Sequence, residues 1–111
     1  MRQSHTSIIE RNITWADAFE TEPYEVAWAS EAIFFVRTLS VLGVVGDGDA
    51  RVQISPDGMR WCDEGTVVPL SGEVDGVTFG NVSHFGTYLR LVGELPKGMA
   101  LTVIVALSLK E

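Results

Sequence analysis

From residue 31 onward the chain runs in short bursts of β-branched, aromatic and aliphatic residues, each closed by Gly, Asp, Pro or Ser. No stretch keeps a helical period. The spacing predicts strands of an all-β domain instead. Glu31 to Gly43 reads as one long strand, closed by the Gly43, Gly46, Asp47, Gly48, Asp49 cluster. Ala50-Arg-Val-Gln-Ile54 alternates cleanly, which points Ala50, Val52 and Ile54 inward and Arg51 and Gln53 to solvent. Ser55-Pro56-Asp57-Gly58 is a tight turn: proline presets one φ and glycine tolerates a positive one. Met59 to Asp63 is then expected to return as the partner strand. Shorter strands are expected at 66–70 and 76–79, followed by Thr87–Val92, with Leu89 and Leu91 on one face. Leu95-Pro-Lys-Gly98 turns into a last strand, Ala100 to Lys110.

The earlier residues are less regular. Residues 6–14 suit a first strand, and Trp15 to Glu20 suit a short helical turn ended by Pro23. Turn signals every eight to twelve residues favour an antiparallel β-sandwich, jelly-roll-like, and no connector is long enough for parallel crossovers. One domain spans 1–111, with 31–110 as the sandwich core and 1–30 as an N-terminal segment of uncertain structure.

Two strands depart from strict alternation. Ile33 to Leu42 and Leu101 to Leu107 carry large apolar side chains on both faces. An isolated antiparallel sheet normally keeps one face wet, so the second apolar face needs a cover. Either the N-terminal segment or a second subunit supplies it. Phe34, Val36, Leu42 and Ile104 are the candidate assembly residues.

Composition narrows the partners. Fifteen acidic against eight basic residues give a net charge of -7, without a Lys/Arg cluster, which disfavours phosphate backbones and anionic membrane. No apolar run approaches the roughly 20 residues of a membrane span. No apolar run opens the N-terminus, so no secretory signal is expected, and the protein reads as soluble, cytoplasmic or virion-associated. Asn12-Ile-Thr14 and Asn81-Val-Ser83 match the glycosylation sequon but, without such a signal, read as chance. One cysteine rules out an intrachain disulfide.

Candidate chemistry is sparse. A catalytic reading would join Cys62, His84 and Asp63, yet Cys62 follows Trp61 in a strand with no nucleophile signature around it. Gly46-Asp47-Gly48-Asp49 begins like a calcium loop, but Ala50 and Arg51 follow where further oxygen ligands belong. No cofactor, metal or catalytic residue is assigned. Trp15, Trp28 and Trp61, with Tyr24, are candidate stacking residues for a glycan, although large aromatics serve equally as core anchors.

Two motifs carry a resemblance. Ser55-Pro-Asp-Gly-Met-Arg-Trp61 is similar to the Asp-box hairpin of sialidases, one residue short and present once. Together with Phe85-Gly-Thr-Tyr-Leu-Arg90 and a final apolar strand, it resembles small β-sandwich proteins of phage and prophage virion-associated type over residues 31–110. That resemblance implies a non-enzymatic part that works by self-association. The expected function is structural or interaction-based, through a homo-oligomer, with a small carbohydrate-binding module as the alternative.

Overall fold

A computed structural model describes residues 4–43 and 48–111. Gly46 and Asp47 of the suggested calcium loop lie outside the described residues. Nine strands form: β1 (Ser4–Ala16), β2 (Ala18–Glu20), β3 (Tyr24–Glu25), β4 (Glu31–Leu42), β5 (Asp49–Ser55), β6 (Cys62–Pro69), β7 (Val77–Ser83), β8 (Tyr88–Glu94) and β9 (Ala100–Lys110). One sheet has the order β1-β9-β4-β7. The other has the order β2-β8-β5-β6, with β3 pairing β8 beside β2. Every pairing is antiparallel. The protein is an antiparallel β-sandwich.

The core lies between the sheets. The first sheet contributes Phe34 and Val36 from β4 and Leu101, Val103, Val105, Leu107 and Leu109 from β9. Val52, Val68, Leu89 and Leu91 meet them from the second sheet. Strand β9 alternates without interruption, each odd-numbered residue buried and each even one half-buried up to Ser108. Strand β4 alternates too until a bulge between Thr38 and Ser40, after which Val41 takes the inward position opposite Leu101.

Residues 15–20 form no helical turn. Trp15 ends β1 on the core side and Phe19 sits inward on β2, their rings stacked at 4.1 Å. The chain passes from one sheet to the other at Asp17, in the left-handed region with φ 54°. Its carbonyl accepts the Leu95 N–H at 2.9 Å. Two core aromatics four residues apart on different sheets need a sharp corner, which a helical turn would not give. The return strand expected over Met59–Asp63 begins only at Cys62, because the Asp57 carboxylate holds the Met59 and Arg60 N–H groups in the turn. The expected strand at 66–70 is the second half of the same β6, and β7 runs on from Val77 to Ser83.

Candidate functional site

Which side chains face outward from the first sheet follows from register. Opposite Phe35 lie Phe79 on β7 and Ala106 on β9; opposite Arg37 lie Val77 and Ile104; Ile8 on β1 pairs Ala106. Ile8, Ala106, Phe35 and Phe79 form one apolar row across the four strands, flanked by Ile104 and Val77 on either side of Arg37. Phe79 and Val77 are each 57% exposed and Ile8 is exposed. Phe35 and Phe79 pack with ring centroids 6.2 Å apart. At the paired outward positions of β4, β7 and β9 the ionised side chains are Glu31, Arg37 and Lys110. Asp75 neutralises Arg37 from the flank at 2.8 Å.

This geometry corrects two expected assembly residues. Phe34 and Val36 are 0% and 1% exposed, inside the sandwich. Arg37 provides the missing parity: a charged side chain must face water, so Ile33 and Phe35 share its face and Phe34 and Val36 do not. Leu42 and Ile104 do lie on the outward side, opposite Ala100 and Arg37. The described part of the N-terminal segment, residues 4–30, does not cover this surface. It extends the sheet in its own plane as β1, hydrogen-bonded to β9.

The outer face of the second sheet is polar. Arg90 donates through Nε and Nη2 to Gln53 Oε1 (2.9 and 2.8 Å) and through Nη1 to Glu20 Oε2 (2.7 Å). Gln53 Nε2 and Arg51 Nη1 donate to Asp63 at 2.9 and 3.3 Å. The Arg90 guanidinium lies 4.1 Å over the Trp61 ring. One face of Trp61 is thereby taken. Trp15, 2% exposed, is core and offers no stacking surface. Trp61 is half-buried, and Trp28, 39% exposed, is the most exposed of the three tryptophans.

The hairpin turn is built by its own side chains. Ser55 Oγ accepts the N–H groups of Asp57 and Gly58 at 3.2 and 2.8 Å. Asp57 Oδ1 accepts those of Met59 and Arg60, both at 2.9 Å. The Arg60 and Met59 amides, followed by the Ser55 hydroxyl and the Arg60 guanidinium, hold the Asp57 carboxyl down at about 2, against a weaker opposing effect of burial. Gly58 has φ 81° and faces the Tyr88 ring. The turn thus rests on the strand whose Arg90 caps Trp61, and the two sequence motifs meet in space.

The suggested catalytic residues lie on two segments, Cys62 and Asp63 on β6 and His84 just beyond β7. Cys62 is exposed at the start of β6, and His84 is exposed beyond β7 with φ 59°. Asp63 turns to Gln53 and Arg51, away from any role in orienting an imidazole. Among the described residues no group of three or more His, Cys, Asp or Glu is placed to hold a metal ion. Among them, too, no helix is long and apolar enough to cross a membrane.

An open groove of about 650 Å³, not foreseen as a unit, lies between the start of β1 and β3, lined by Ser4, His5, Pro23, Tyr24, Glu25 and Trp28. Trp28 and Tyr24 had a sequence signal, as aromatics in an irregular segment. His5, Glu25 and Ser4 had none, because only the sheet crossing brings β1 beside β3.

These features define a two-sheet, wholly antiparallel sandwich with one apolar and one polar outer face. Among solved structures the chain is similar to the SPBc2 prophage-derived protein YomS, with a TM-score of 0.61 and 8% identity over 100% of this chain and 96% of that one. It is also similar to a chain in the structure of infectious bursal disease virus Gx strain, with a TM-score of 0.54 and 12% identity, covering 99% of this chain and 33% of that one. At such identities the likeness concerns the fold. No family model and no curated protein matches the sequence.

Proposed function

We propose that this chain is a non-enzymatic structural protein of phage type that assembles with copies of itself through the outer face of its first sheet. The observation that carries the reading is the apolar surface of Ile8, Phe35, Val77, Phe79 and Ile104. Contiguous apolar surface of this kind is stabilised by removal from water. A second copy is the partner favoured by charge. The chain holds 15 acidic residues, yet the paired outward positions of β4, β7 and β9 hold only Glu31, which lies opposite Lys110, while Arg37 is paired with Asp75 at the flank. The face can therefore meet itself without the like-charge repulsion that the rest of the surface imposes. The prophage-derived structural neighbour, which the chain matches over nearly its whole length, supports the phage assignment.

Size-exclusion chromatography with light scattering tests this directly. The expected result is an oligomer at micromolar concentration. Phe79→Asp, at an exposed edge position, should weaken it by about tenfold or more in Kd while leaving circular dichroism unchanged. A strict monomer at high micromolar concentration, or an oligomer indifferent to Phe79→Asp and Phe35→Asp, overturns the assignment of this face.

A further inference from the structure

Separate from the apolar face, we infer that the groove between the start of β1 and β3 is a binding site for a neutral sugar. Its volume, about 650 Å³, falls within the roughly 300–1,000 Å³ of small-molecule sites. Trp28 leaves part of its indole in water inside this concavity, where a flat apolar ring face can be covered by a ligand. Around it the polar groups are held in place. Tyr24 Oη shares a hydrogen bond with Ser7 Oγ at 2.8 Å, and Ser7 Oγ lies 2.7 Å from His5 Nε2. Glu25 Oε1 accepts the Ala27 N–H at 2.9 Å, which fixes the carboxylate, and among the described residues its Oε2 has no partner.

The groove thus presents an aromatic face beside a carboxylate oxygen, a phenol and an imidazole. A pyranose matches that set: one face of C–H groups for the indole, and equatorial hydroxyls that donate to a carboxylate and exchange hydrogen bonds with Tyr and His. The ligand's charge follows as well. Glu25 in a chain of net charge -7 would repel a sulfated or carboxylated sugar, so the neutral class is selected. The sequence pointed to three tryptophans for this purpose. Burial removes Trp15, the Arg90 guanidinium takes one face of the half-buried Trp61, and Trp28, the most exposed of the three, stands in the groove.

The test is an NMR titration of the ¹⁵N-labelled full chain with neutral tetrasaccharides: β-1,4-glucan, α-1,4-glucan, β-1,4-mannan and β-1,4-N-acetylglucosamine. At least one should move the Trp28 indole N–H and the amides of Glu25 and Ala27 while leaving the Trp15 indole in place. Trp28→Ala should weaken that binding by about tenfold or more, Trp28→Phe by less, and Glu25→Gln, which keeps the Ala27 hydrogen bond, by several-fold. Circular dichroism of each variant separates lost binding from lost fold, and Trp28→Phe keeps the test informative if Trp28→Ala unfolds. The proposal fails if no tetrasaccharide moves these signals, if binding survives Trp28→Ala undiminished, or if a sulfated analogue binds more tightly than its neutral parent. None of these outcomes bears on assembly, which chromatography reads.

Discussion

Asp57 holds the β5–β6 turn through two backbone N–H groups and an arginine, and all three prefer the ionised carboxylate. Its pKa in the folded protein, about 2, lies below the ordinary 3.8. A depressed carboxylate pKa stabilises the fold above the unfolded value and loses that contribution as pH falls through the folded one. Thermal melts should therefore show stability from this group intact above about pH 4 and declining toward pH 2. Asp57→Ala should lower the melting midpoint at neutral pH and flatten that acidic slope. Gly93 is constrained by space instead of charge. A Cβ there would lie 2.6 Å from Phe19 Cζ and 2.7 Å from the Asp49 carbonyl oxygen. Gly93→Ala should cost about 1–3 kcal/mol in urea unfolding, since neither a core ring nor a paired strand yields easily.

Strand β4 shows how much one residue of parity decides. Phe34 and Phe35 are neighbours of the same type, one inside the sandwich and one on its outer face. Phe34→Ala should cost about 3–5 kcal/mol of folding stability. For a dilute sample in which subunits are apart, Phe35→Ala should cost no more than about 1 kcal/mol. Chemical unfolding of the two variants at low protein concentration makes the comparison, and equal costs would contradict the register described. Runs such as Ile33-Phe-Phe-Val36 hide their parity because every residue is apolar. The fold was legible there and the face was not. Arg37 one residue on carries the information, as Thr102 and Ser108 do for β9. The corner at Asp17 was illegible for another reason. Trp15 and Phe19 are spaced as on one helix face, and only the need to place them on two sheets excludes the helix.

At the scale of the molecule, the two outer faces are opposites. One carries a connected polar network from Glu20 through Arg90 and Gln53 to Asp63, and the other an apolar surface from which acidic groups are nearly absent. If the apolar face brings copies together, net charge opposes the approach and added salt relieves it. Raising ionic strength from about 0.01 M to about 0.5 M, a range in which the screening length shrinks from roughly 30 Å to a few ångströms, should strengthen self-association. Light scattering across that range reads the sign, and weaker association at high salt would point to ion pairs in place of apolar contact.

The sequence by itself determined the class of fold, the turn at Ser55–Gly58 and the final strand, because alternation and turn chemistry are local and need only neighbouring residues to act. Tertiary structure decided which apolar residues became core, because a two-sided strand has no local preference for either face. It likewise decided that Trp15 is buried, that Arg90 reaches Trp61, and that His5 and Trp28 line one groove. Those pairings join residues far apart in the chain, and the sheets that hold them together form only when the whole sandwich closes.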